Sequence, residues 1–276
     1  MTDRYVVIGN PVAHSQSPRI HAMFAAQTGQ DIAYDKLLAP VGGFVDAVGK
    51  FISAGGCGAN VTLPFKVDAY ELADTVSERA RYARASNTLS FSGGQIAADN
   101  TDGVGLVRDI ESNLEFELKA RRVLLIGAGG AARGVLLPLL QARPRRLVIA
   151  NRTVEKATQL VHGIEHSAMR ASVDLEACGF EQLTGEQFDL VVNATSSSLS
   201  DDLPPLPEDL FAPGALAYDM MYGKGLTSFL AFAEARDVER LADGLGMLVE
   251  QAAESFLIWR GVRPDTRAVM KALRKV

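Results

Sequence analysis

The segment VLLIGAGGAARGVLLPLL, residues 123 to 140, constrains the fold more than any other part of this chain. An apolar run leads straight into Gly127-x-Gly129-x-x-Ala132, and an apolar helical pattern follows at once. A strand that turns on glycine into a helix leaves the first helical N–H groups unpaired at the turn, where the helix dipole also favours an anion. Gly127 suits the tight turn, Gly129 lets backbone approach a pyrophosphate, and Ala132 allows the helix to lie close to the strand. Gly127, Ala128, Gly129, Gly130 and Ala131 are therefore candidate contacts for a dinucleotide.

Which dinucleotide depends on the end of the next strand, RRLVIAN. An NAD site places Asp or Glu there to hold the ribose 2′-hydroxyl. Here the chain reads NRTVEK, residues 151 to 156. Arg152 offers a planar charged fork, Thr153 a hydroxyl and Lys156 a second positive charge one helical turn on, a set that suits the 2′-phosphate of NADP. Asn151 and Thr153 also suit the cap of the following helix.

Apolar runs alternate with amphipathic helical patterns along the whole chain, which predicts an α/β fold with mostly parallel sheets. In the first hundred residues strands are expected near 4–9, 32–38 and 58–63, and helices near 18–28, 41–54 and 65–74, with NTLSFSGGQIAAD forming a hairpin that turns at Gly93 and Gly94. A second βα series starts at RRVLLIG and continues through RRLVIAN, FDLVVNATS and ALAYDMMY. At 276 residues the length fits two domains, and with neither repeat nor low-complexity linker between them they are expected to face each other across a cleft.

A net charge of −5 gives no basic footprint for nucleic acid, and no run approaches the roughly 18 apolar residues of a spanning helix. The amino terminus reads as a first strand rather than a signal segment. Cys57 and Cys178 belong to no CxxC pair, and His162 and His166 lack the Glu of an HExxH frame, so no metal or disulfide framework is expected and a reducing cytoplasm fits.

ANVTLPFK, residues 59 to 66, keeps polar groups inside a strand-like run. Alternation puts Asn60 and Thr62 on one face, and Pro64 suits the first turn of a helix from which Lys66 emerges, so the three are expected to share a rim. Asp102 of DNTDG reads in isolation as a turn aspartate ahead of Gly103. Ser17 before Pro18 reads as the N-cap of the first helix, an end that is itself an anion site.

In the motifs GNPVAHSQSP, GANVTLPFK, NTDG, GAGGAARG, NRT, NATSSS and DGLGMLVEQAAESFLIWRG, taken in order, the chain resembles the shikimate dehydrogenase family along essentially its whole length. The resemblance implies reversible NADPH-dependent reduction of 3-dehydroshikimate to shikimate, on the route to aromatic amino acids, by a monomer or homodimer with small-molecule partners. It implies a substrate domain formed by residues 1–102 plus 244–276 and a Rossmann-type NADP domain of residues 103–243. It further implies that Ser15 and Ser17 meet the substrate carboxylate, that Asn60, Thr62, Asn87, Asp102 and Gln251 grip its hydroxyls, and that Lys66 and Asp102 are the catalytic pair. Asn193, Ala194, Thr195, Ser196, Met220 and Gly244 are placed by the same resemblance at the nicotinamide, with Tyr222 beside the substrate. Ser198 stands where the family commonly has Gly. A broader quinate/shikimate dehydrogenase and a non-catalytic NADP-binding sensor are the alternatives, and retention of Lys66, Asp102 and the serine pair argues against the second.

Overall fold

The apolar run YVVI makes β1 (Asp3–Gly9) a strand covered on both faces, with Tyr5, Val6, Val7 and Ile8 all buried, as a central parallel strand requires. Next come α1 (Ser17–Thr28), β2 (Ile32–Leu38), α2 (Phe44–Ser53), β3 (Gly56–Val61), α3 (Lys66–Leu72), β4 (Thr75–Val76), α4 (Glu78–Ala83), β5 (Thr88–Ser92), β6 (Gln95–Asp99) and α5 (Asp102–Arg108). The computed structural model describes residues 2–164, 173–195, 203–223 and 225–274. The chain divides into two units, Met1–Gly105 with Leu248–Val276, and Leu106–Met247.

The sheet of the first unit has the order β2-β1-β3-β5-β6-β4. β1 is parallel to both of its neighbours, whereas β5 runs antiparallel to β3 and β6. The hairpin turns where expected, with Gly93 at φ 60° and Gly94 at φ 78°, the left-handed pair that a tight two-residue turn demands and glycine supplies without a Cβ clash. The chain leaves β1 toward β2 on one side and then returns to β3 on the other, so a crevice opens at the carboxyl ends of these strands. Because Asn60 faces Thr88 and Thr88 faces Asp99, the end of β3, the start of β5 and the end of β6 reach that same edge.

Local details differ from the sequence expectation at two places. β3 stops at Val61, and Pro64 sits in the turn after it, joined to Leu63 by a cis peptide, so α3 opens on Lys66 without proline in its first turn. Ser17 is the first helical residue of α1 rather than its N-cap; Gln16 holds that position and no side chain caps the helix. The Ser17 backbone N–H instead donates to Ser15 Oγ at 3.3 Å.

The second unit opens with a π-helical turn, Asp109–Asn113, and continues with β7 (Arg122–Ile126), α6 (Gly130–Gln141), β8 (Arg146–Ala150), α7 (Val154–His162), β9 (Asp174–Cys178), β10 (Phe188–Asn193), β11 (Phe211–Asp219), α8 (Ser228–Glu234) and β12 (Arg240–Ala242). All these strands are parallel in the order β12-β11-β10-β7-β8-β9. This is the doubly wound order in which nucleotides bind where the winding reverses, here between β7 and β10. β7 is buried from Val123 and β10 from Leu190 on both faces, which explains the apolar runs VLLI and LVV within them.

α9 (Leu245–Arg260) begins in the second unit and from Leu248 onward belongs to the first, as does α10 (Arg267–Leu273). Val249, Ala252, Ala253 and Phe256 of α9 and Val269 of α10 form one core with Ile20 and Phe24 of α1. Trp259 stacks on Tyr5 at 4.6 Å and donates its indole N–H to Leu89 O at 3.1 Å.

Candidate active site

Lys66 Nζ lies 2.5 Å from Asp102 Oδ2, and the two side chains are 29% and 14% exposed. Each is the first residue of its helix, α3 and α5, so each backbone position is fixed while the side chain stays at the sheet edge. Asn100 holds Asp102 from behind, its Oδ1 accepting the Asp102 N–H at 3.1 Å, and Ser86 N donates to Lys66 O at 2.8 Å.

The other Asp102 oxygen is held by Asn87. Its Nδ2, with two N–H groups to give, faces three acceptors, Asp102 Oδ1 at 2.9 Å, Thr101 Oγ1 at 2.9 Å and Gln251 Oε1 at 3.1 Å, while its Oδ1 accepts the Thr101 N–H at 2.8 Å. That backbone donor decides which way round the Asn87 amide sits, because a flipped amide would set N–H against N–H. Asn60 is buried beneath the edge rather than on the expected rim. Tyr34 Oη donates to Asn60 Oδ1 at 2.7 Å, and Asn60 Nδ2 faces Asn87 O, Thr88 Oγ1 and Ser255 Oγ at 3.0 to 3.3 Å. Thr62 follows the strand, its methyl over Gly9, and its hydroxyl makes no hydrogen bond among the described residues. Ser15 Oγ and Ser17 Oγ are 3.2 Å apart at the start of α1, whose first turn carries no acidic residue, and Lys36 Nζ donates to Ala13 O in the same loop. The structure thus joins Lys66, Asp102, Asn87, Gln251 and Asn60 in one hydrogen-bonded network, with Thr62 and the serine pair on neighbouring turns.

The second unit places a glycine turn between β7 and α6. Gly127 adopts φ 106° and its N–H donates to Ala150 O at 2.8 Å, while Ala194 N donates to Ile126 O at 2.8 Å, so the β7 and β10 ends are tied across the switch point. A side chain on Gly127 would meet Thr195 Cγ2, whereas the space above Gly129 and Gly130 is open. Gly129 caps α6 with no side-chain acceptor, leaving its amino end free to receive an anion. Thr153 is the N-cap of α7, yet its hydroxyl does not cap, and Asn151 Nδ2 donates to Thr153 O at 2.8 Å. Arg152 and Lys156 are exposed and make no ion pair among the described residues. Asn193 Oδ1 accepts from Thr195 N and Oγ1, Met220 N donates to Asn193 O at 3.0 Å, and Gly244 N donates to Met221 O at 3.0 Å. A Cβ on Gly244 would strike the Met220 carbonyl. Ala128 is buried, Ala131 is exposed and Tyr222 is 40% exposed. Ser196, Ser198 and His166 lie outside the described residues. Among the described residues no group of His, Cys, Asp and Glu could hold a metal ion, and no helix is long and apolar enough to cross a membrane.

Residues 7–89 match the substrate-binding domain of shikimate dehydrogenase, 109–200 match the shikimate/quinate 5-dehydrogenase domain, and 244–274 match the shikimate 5′-dehydrogenase C-terminal domain. A shikimate dehydrogenase (NADP(+)) from Chromobacterium violaceum is 58% identical over 276 residues, covering 100% of this chain and 99% of that protein. The chain belongs to the shikimate dehydrogenase family. A second relative of that name, from Nitrosospira multiformis, is 58% identical over 99% of this chain and 98% of its own.

Solved structures align with nearly all of the chain. An Ael1 enzyme from Pseudomonas putida is 54% identical with a TM-score of 0.93, covering 99% of this chain and 98% of its own. A shikimate 5-dehydrogenase from Thermus thermophilus, solved in complex with NADP(H) and shikimate, is 30% identical with a TM-score of 0.86 and 99% coverage of both chains. The NADP expectation read from NRTVEK agrees with the cofactor named for these relatives. Sequence reasoning did not find Tyr34, Thr88, Thr101 or Ser255 as members of the network. One signal was available for Ser255, which stands one helical turn from Gln251 on the same face of α9.

Proposed function

We propose that this chain catalyses the reversible NADPH-dependent reduction of 3-dehydroshikimate to shikimate, a step in aromatic amino acid biosynthesis, with the proton chemistry at Lys66 and Asp102. The observation that carries the assignment of roles is the 2.5 Å contact between those two side chains at an edge where hydrogen-bonding groups from β3, β5, α5 and α9 converge. Reduction adds a hydride to the carbonyl carbon and a proton to its oxygen, and bound NADPH supplies the hydride. Lys66 Nζ donates the proton as negative charge builds on that oxygen, and in the reverse direction takes it from the hydroxyl. Asp102 holds Lys66 with Oδ2, while Asn87 keeps the carboxylate from rotating away.

Asn60, Thr62, Asn87, Asp102 and Gln251 orient the ring through its hydroxyls, Thr62 with a hydroxyl that has no protein partner among the described residues. Ser15 and Ser17 donate to the carboxylate at the amino end of α1, where the dipole favours an anion. Gly127, Ala128, Gly129, Gly130 and Ala131 would hold the pyrophosphate. Asn151, Arg152, Thr153 and Lys156 would hold the 2′-phosphate, and Asn193, Ala194, Thr195, Ser196, Met220 and Gly244 would border the nicotinamide, with Tyr222 toward the substrate. The open space over Gly129 and Gly130 and the exposed Arg152 fit those tasks. We place the reaction in the cytoplasm, where Cys57 and Cys178 stay as the free thiols they are here.

Purified protein mixed with NADPH should consume it only when 3-dehydroshikimate is added, and in the reverse direction kcat/KM should be higher for shikimate than for quinate. Absence of NADPH consumption would overturn the assignment, and a preference for quinate would move it to the broader quinate/shikimate dehydrogenases.

A further inference from the structure

We propose that Ser255 is a positioning residue for the substrate-binding asparagines, acting from a site that never touches the substrate; the inference rests on the function proposed above. Ser255 is fully buried on the α9 face that also carries Gln251. Its hydroxyl oxygen lies 3.0 Å from Asn60 Nδ2, 2.8 Å from Thr88 Oγ1, 3.3 Å from Thr101 Oγ1 and 3.1 Å from Gln251 O. A hydroxyl has one proton to give and two lone pairs to receive with, three bonds in all, so four neighbours more than fill it.

The direction of these bonds follows from counting protons. Asn87 Oδ1, 2.9 Å from Thr88 Oγ1, can only accept, so we assign the one Thr88 hydroxyl proton to that bond. The 2.8 Å contact between Ser255 and Thr88 therefore takes its proton from Ser255, with the longer approach to Gln251 O sharing it. Asn60 Nδ2 in turn donates to Ser255 Oγ. The result is a one-way chain from the Asn60 amide through Ser255 and Thr88 to the Asn87 carbonyl oxygen, while the Asn87 amide points at Asp102 and Gln251. A buried chain of this kind is polarised along its length and leaves each amide one favourable orientation. In this chain of bonds Ser255 is the member supplied by α9, so it ties β3 and β5 to the helix that bears Gln251.

Deleting the hydroxyl leaves Asn60 Nδ2 its bond to Asn87 O, so the site survives but its amides lose one restraint. Ser255→Ala should raise KM for shikimate about three- to tenfold, the worth of one neutral hydrogen bond, and leave KM for NADP+ unchanged. kcat should stay within about twofold, because the Lys66–Asp102 contact does not pass through Ser255. An Asn60→Ala, Ser255→Ala double variant should bind shikimate no worse than Asn60→Ala alone, since Ser255 has then lost the group it positions. Should Ser255→Ala fail to fold, Ser255→Cys keeps a weak donor in nearly the same space and should shift KM in the same direction by less. A lowered melting temperature with unchanged KM, or effects of the two substitutions that multiply, would overturn the inference. Wild-type protein without shikimate turnover would overturn the underlying function as well, which distinguishes the two failures.

Discussion

Arg152 is the residue on which the proposed 2′-phosphate site rests most directly. Its guanidinium has no carboxylate partner among the described residues, and the Thr153 hydroxyl beside it does not cap α7, so both are available to a phosphate. Arg152→Ala should raise KM for NADPH about 10- to 150-fold, the equivalent of roughly 1.5 to 3 kcal/mol for a charged hydrogen bond, and leave KM for NADH nearly unchanged. Equal losses with both cofactors would make Arg152 structural. His21 sets a different property. It is fully buried and stacked on Tyr34 with ring centroids 4.2 Å apart, and burial pushes its pKa down to about 3. The folded protein then excludes a proton that the unfolded chain binds once pH falls below about 6.5. Stability is therefore lost as pH falls from about 6.5 toward 3, by about 2 kcal/mol between pH 6.5 and 5 from this residue alone. Carboxylates such as Glu176, held low by its hydrogen bonds from Arg146, add their acid sensitivity only nearer pH 4. His21→Phe, which keeps a flat ring against Tyr34, should flatten the urea-unfolding stability between pH 7.5 and 5 relative to wild type, and parallel profiles would refute the role given to His21.

At the scale of elements, two glycines predict opposite outcomes for the same substitution. Gly58 sits in β3 where a Cβ would come within 2.7 Å of the Leu89 carbonyl and 2.8 Å of the Trp259 indole nitrogen. Gly58→Ala must push β5 or α9 aside and should cost about 1 to 3 kcal/mol. Gly49 is exposed inside α2, and beyond the helix's own backbone and its chain neighbours nothing lies within 4 Å of its missing Cβ, so Gly49→Ala should add about 0.5 to 1 kcal/mol by reducing the freedom of the unfolded chain. Urea midpoints of the two variants should move in opposite directions, and a shift of the same sign would contradict the packing described here. The same elements show what a sequence discloses. The Gly93-Gly94 hairpin and the Gly127 turn were legible because each needs a positive φ that glycine alone takes cheaply. The two-residue β4 and the three-residue β12 were not, because strands that short carry no readable alternation. Ser17 was misread as an N-cap because Ser-Pro at a helix start fits either position, and the fall of the preceding loop, not the dipeptide, decides between them.

For the whole molecule, the chain passes from the first unit to the second inside α5 and returns inside α9, so Asp102 opens one crossing helix and Gln251 and Ser255 follow the other crossing. That placement explains why the candidate site was only partly legible. Lys66 and Asp102 stood out as a cation and a carboxylate in turn motifs, whereas the burial of Asn60 depends on Tyr34, Asn87, Thr88 and Ser255, up to 195 residues away, which no local pattern reports. The central claim is that these distant segments converge to let Lys66 protonate the oxygen under reduction while Asp102 holds it. Steady-state kinetics of Lys66→Ala, Asp102→Asn and the double variant with NADPH and 3-dehydroshikimate test it most directly. Lys66→Ala should lower kcat by about 10² to 10⁴ with a much smaller change in KM, the pattern of an interaction made mainly in the transition state. Asp102→Asn should lower kcat and also raise KM, and the double variant should be little worse than the worse single one. A Lys66→Ala enzyme that folds, binds NADPH and keeps a near-normal kcat would contradict the account.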